Sequence, residues 1–76
     1  MKDHRAVKAV RAAGHEQGAK WVKRNPDARL SEFHSACAVA FMKYSEGAGA
    51  AIRACAPHAN PTATFRDGFM DAVTGG

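Results

Sequence analysis

The chain has 76 residues, enough for a single domain over residues 1–76 and for one modest core. Hydrophobic residues are 46% of it, but much of that is alanine. The bulk comes from four Phe, Trp21, Tyr44, Leu30 and Ile52, a thin set that a partner or a second copy of the chain can complete. Eleven Lys and Arg against seven Asp and Glu give a net charge of +4, which excludes an acidic mimic of nucleic acid and turns attention to anionic partners.

Asp3 is placed to cap a first helix, in which Val7, Val10, Gly14, Gly18 or Gln17, and Trp21 recur at helical spacing. Asn25-Pro26-Asp27 ends it, because the residue before a proline is pushed out of the helical region. A second stretch opens after Ser31 as cap and sets Phe33, Cys37, Phe41, Tyr44, Ala48, Ile52 and Cys55 on one stripe, until Pro57 stops it. The third opens at Asn60-Pro61, with Asn as cap and Pro in the first helical position, and carries Phe65, Phe69 and Val73.

No β-branched run alternates with polar residues, so the fold class is all-α, a small bundle of three helices. Ser45, Gly47 and Gly49 mark a place where the middle helix can break. Its apolar stripe nevertheless passes residues 45–49 without a change of phase, which predicts one long helix, kinked or weakened at the glycines. Such a helix of roughly 25 residues would run about 38 Å, a length that suggests pairing into a homodimer.

The charged start of the chain, Met1 to Arg5, precedes no apolar block, and no secretory leader is expected. Ala36 to Met42, the longest apolar run, is too short to span a bilayer, so no membrane partner is expected. Two cysteines are too few for a secreted disulfide framework, and a cytoplasmic location is the expectation.

The charge is uneven. Residues 1–24 carry seven cations against Asp3 and Glu16, or +5, while residues 25–76 carry four against five, or −1. On a helical wheel His4, Lys8, Arg11 and His15 lie close together, Arg5 and Lys23 continue the arc, and Val7, Val10, Gly14 and Trp21 face the other way. A basic face backed by an apolar seam suits phosphate binding, although a charged face also serves solubility alone. Trp21, among Lys20, Lys23 and Arg24, has the chemistry to stack on a base, and equally to close the core at a helix end. Gly14 and Gly18, one turn apart on the apolar side, would let another helix approach closely.

His34-x-x-Cys37 and Cys55-x-x-His58 are a two-plus-two set of zinc-type ligands. They converge only if the middle segment folds back near Gly47 or two chains pair antiparallel. Cysteines on an apolar stripe more often pack as small hydrophobes, so free buried thiols and no metal or other cofactor are the expectation. No nucleophile with a base, Gly-x-Ser-x-Gly elbow or glycine-rich phosphate loop is present, and Asp67 and Asp71, one turn apart, read as a solvated face. A non-enzyme is expected.

Gly14-His15-Glu16-Gln17-Gly18 and Phe65-Arg66-Asp67-Gly68-Phe69-Met70-Asp71 resemble the two short motifs of ribosome modulation factor, a small basic helical family that binds the ribosome. The resemblance covers about a dozen residues. His15 stands where that family has an aromatic, phenylalanines stand for both tryptophans, and the two motifs lie farther apart. It implies an RNA or ribonucleoprotein partner.

The sequence therefore reads as a small non-enzymatic helical protein whose first helix meets an anionic partner: RNA, DNA or a nucleoprotein complex. Arg5, Lys8, Arg11, His15, Lys20, Trp21 and Lys23 are the contact residues. Two alternatives stand beside it: a protein-binding inhibitor or adaptor, such as phages direct against host machinery, and a structural zinc or homodimer module.

Overall fold

The computed structural model describes residues 4–75, which form α1 (Arg5–Arg24), α2 (Leu30–Gly47), α3 (Gly49–Cys55) and α4 (Pro61–Val73), with no strand among them. The all-α expectation holds, with four helices rather than three. The middle segment is not one long helix. At Ala48 the backbone leaves helical geometry (φ −124°, ψ 34°), so this one residue separates the end of α2 from the start of α3. Glycine on both sides of Ala48 is what makes the break cheap, since each is a poor helix former. With that break, the length that suggested pairing along a single rod is gone.

Local chemistry fixes the other boundaries. Asp3, the expected cap of α1, lies outside the described residues. The N-cap is His4, whose Nδ1 accepts the Ala6 amide N–H at 3.0 Å. Asn25 closes α1, its backbone N–H and its side-chain Nδ2 both donating to the Trp21 carbonyl, the latter at 2.9 Å. Ser31 does not cap α2. The helix starts two residues earlier, with Arg29 as cap, because the Glu32 carboxylate three residues on reaches back to accept the Arg29 N–H at 2.9 Å. Asn60 caps α4 as expected, accepting the Ala63 N–H at 3.2 Å ahead of Pro61, and Gly75 follows the helix at φ +83°, a left-handed value suited to glycine.

The principal interface is α1 against α4, backbone close to backbone. A Cβ built on Gly14 would collide with the Phe65 carbonyl, one on Gly18 would lie 2.6 Å from the Phe69 carbonyl oxygen, and one on Gly68 would collide with the Arg11 carbonyl. Three glycines thus let the two helices interlock, and the first two are those the sequence placed on the apolar seam. The two motifs that resemble ribosome modulation factor form this one contact, which gives both a packing role.

Over the pair lies α2. Phe65 and Phe69 are completely buried. Phe41 meets Phe65 edge-on at 5.3 Å, Tyr44 stacks on it at 5.3 Å, and Trp21 lies edge-on to Phe33 at 5.6 Å while tilting against Phe69 at 6.2 Å. Val7, Val10, Val73, Cys37 and Cys55 complete the core. Fully burying one such aromatic is worth about 1.5–3 kcal/mol, so Phe65 and Phe69 carry much of what a core this thin can supply. Leu30, Val39 and Met42 on α2 remain exposed. No helix among the described residues is long and apolar enough to cross a membrane.

Candidate nucleic-acid interface

Because Gly14 and Gly18 turn the seam of α1 toward α4, its cations fan out over the remaining surface and fall into two groups and an edge. Lys8, Arg11 and His15 share a shallow groove with Asp67 and Asp71 of α4, the first group. There two cations face two carboxylates. His15 Nε2 sits 3.7 Å from Asp71 Oδ2, a pair that is charged only when the imidazole is protonated, and Arg11 is half-buried and engaged within the chain. His4 does not join this arc, because its ring stacks on His58 with centroids 3.8 Å apart.

The second group surrounds Trp21. Between the C-terminal half of α1 and the outer side of α2 runs an open groove of about 710 Å³. Lys20 and Arg24 stand on its α1 wall and Lys43 on its α2 wall, while Trp21, Ala36, Val39 and Ala40 give it an apolar floor. Two carboxylates temper these cations. Glu16 pairs with Lys20 at 3.1 Å, an exposed i,i+4 contact worth little, and Glu32 is turned to the Arg29 amide. With exposed Lys23 beside it, this end of α1 keeps a cationic surplus that the other group lacks. Arg5 and Lys23 are exposed and line neither groove; at 1.5 Å per residue they are about 27 Å apart.

Of the expected contact residues, the structure therefore brings Lys8, Arg11 and His15 together and, separately, Lys20 and Trp21. Arg24 and Lys43 were not among them. Arg24 was legible, lying one turn beyond Lys20 on the same helix, whereas Lys43 carries no signal until α2 is placed beside α1. Trp21 does close the core, as half-buried indole against Phe33 and Phe69, and still lines the groove.

The zinc-type set is not gathered. Cys37 and Cys55 are buried, unbridged thiols, His34 is exposed, His58 stacks on His4, and no three His, Cys, Asp or Glu among the described residues converge as a metal requires. Burial holds the Cys37 thiol above its ordinary pKa, against a smaller opposite pull from Arg66. The Tyr44 phenol is raised too, chiefly by burial and then by neighbouring Cys55. Cys55 leans its Sγ–H toward the Ala59 carbonyl at 3.6 Å. Both thiols pack within the core.

The fold and this surface define a small helical protein with a cationic, partly apolar groove. In comparisons with family models, curated proteins and solved structures, nothing matches the chain.

Proposed function

We propose that this chain is a small non-enzymatic nucleic-acid-binding protein, engaging RNA, DNA or a nucleoprotein complex through the C-terminal half of α1. The observation that carries the reading is the unequal fate of the α1 cations. Asp67 and Asp71 offset Lys8 and Arg11, whereas Lys20 and Arg24 face Lys43 across a groove, with exposed Lys23 outside it. Clustered cations of this kind bind phosphates by displacing counterions, an interaction without base specificity. Arg5 and Lys8 then add long-range attraction rather than contacts.

Anisotropy titrations of a labelled oligonucleotide at low salt test this. Lys20→Glu combined with Arg24→Glu is expected to weaken binding at least tenfold, and Lys8→Glu to weaken it much less. Equal losses, or no binding by the unaltered chain, would overturn the assignment. The exposed Leu30, Val39 and Met42 favour a second reading, a protein-binding inhibitor or adaptor. A partner captured equally well after nuclease treatment would support that reading instead.

A further inference from the structure

We infer that the groove beside Trp21 selects single strands: an unpaired base lies against the indole while the flanking phosphates sit between Lys20 and Arg24 on one wall and Lys43 on the other. This rests on the nucleic-acid reading above and adds strandedness to it. Three features of the groove carry the inference.

Its size, about 710 Å³, is that of a site for a small organic ligand, so it has room for individual bases and not for a duplex, whose bases are stacked inside. Its cations stand on two different helices, so a strand running between the walls meets positive charge on both sides, whereas a duplex resting on the rim would meet mainly one. Its floor is small and apolar, Ala36 and Ala40 with half-exposed Val39, and leads to an indole already held in place by Phe33 and Phe69. An aromatic face fixed in advance offers stacking to any base without the cost of ordering it. An acidic peptide shares the charge but not the flat π-face, and the alanine floor provides no deep pockets for its side chains. The Lys8–Asp71 groove has no Trp, Tyr or Phe and no surplus charge, and its one ring, His15, is turned to Asp71.

Trp21 is the only tryptophan and lines this groove, so its fluorescence reports on an occupant there. The full chain would be titrated at low salt with a single-stranded oligonucleotide, with the blunt duplex of the same sequence, and with an acidic amphipathic peptide. The single strand should quench Trp21 and bind at least about tenfold tighter than the duplex, a ratio at the low end of what stacking one base contributes. Val39→Glu, a change at a half-exposed floor position, should remove that preference and leave helicity by circular dichroism unchanged. Equal affinity for both nucleic acids without quenching would overturn the inference and leave the nucleic-acid reading standing. Binding of neither nucleic acid would overturn both, and quenching by the peptide but not by the single strand would make the groove a protein-docking site.

Discussion

Gly14, Gly18 and Gly68 act through the side chains they lack. Gly14→Ala and Gly68→Ala each drive a methyl group into a carbonyl of the facing helix, which cannot move without separating α1 from α4. Each is expected to lower unfolding free energy in urea by about 1–3 kcal/mol or more, as overpacking does. Gly47→Ala is the control. Nothing stands within 4 Å of a Cβ there, and the better helix former should be neutral or stabilising by up to about 1 kcal/mol. Gly14 and Gly18 were legible because they interrupt an apolar seam, where small residues mean close approach. Gly68 was not read as a packing residue, although it lies between Phe65 and Phe69 on the inward face of α4, because its meaning depends on the helix it meets. Burial of Cys37 gives a second expectation at this scale. Its folded pKa lies above the ordinary value of 9.0, so the stability it confers is intact below that pH and is lost as pH rises through the folded value; Tyr44 adds the same trend above its ordinary 10.0. Melting temperature should therefore hold from neutral pH to about 8 and fall through the alkaline range, and Cys37→Ser should flatten the early part of that fall.

Among the elements, α1 carries the charge but α4 decides where it counts. A helical wheel drawn from the sequence places Lys8, Arg11 and His15 together correctly, yet it cannot show Asp67 and Asp71 arriving from a helix at the other end of the chain. Asp67→Asn combined with Asp71→Asn is expected to tighten oligonucleotide binding by roughly two- to fivefold at low salt, the scale of exposed ion pairs, and the gain should fade as salt rises. Unchanged affinity would mean that this flank lies beyond the reach of the bound phosphates. The break at Ala48 teaches a related point. The stripe from Phe33 to Cys55 was read correctly as inward-facing, with Cys37 and Cys55 buried and Phe41, Tyr44 and Ile52 half-buried. Continuity of phase, however, reports which side faces the core and not whether the axis stays straight. Two short helices that both pack on the same pair satisfy it as well as one long helix does.

For the molecule as a whole, the thin core foreseen from composition is filled by wrapping rather than by bulk. Chain extents of 36 × 28 × 17 Å describe a slab in which α2 lies over the α1–α4 pair and leaves its outer side unpacked. That unpacked side supplies one wall of the groove, so the economy of the core and the candidate binding surface have a common origin. The central claim, that Lys20, Arg24 and Lys43 together hold a phosphate backbone, is tested most directly by the salt dependence of single-stranded oligonucleotide binding. With about three phosphates engaged, log K against log salt concentration should fall with a slope near −2, and Lys43→Ala should bring that slope nearer zero by about 0.7. A slope indistinguishable from zero, or one that Lys43→Ala leaves unaltered, would contradict the account.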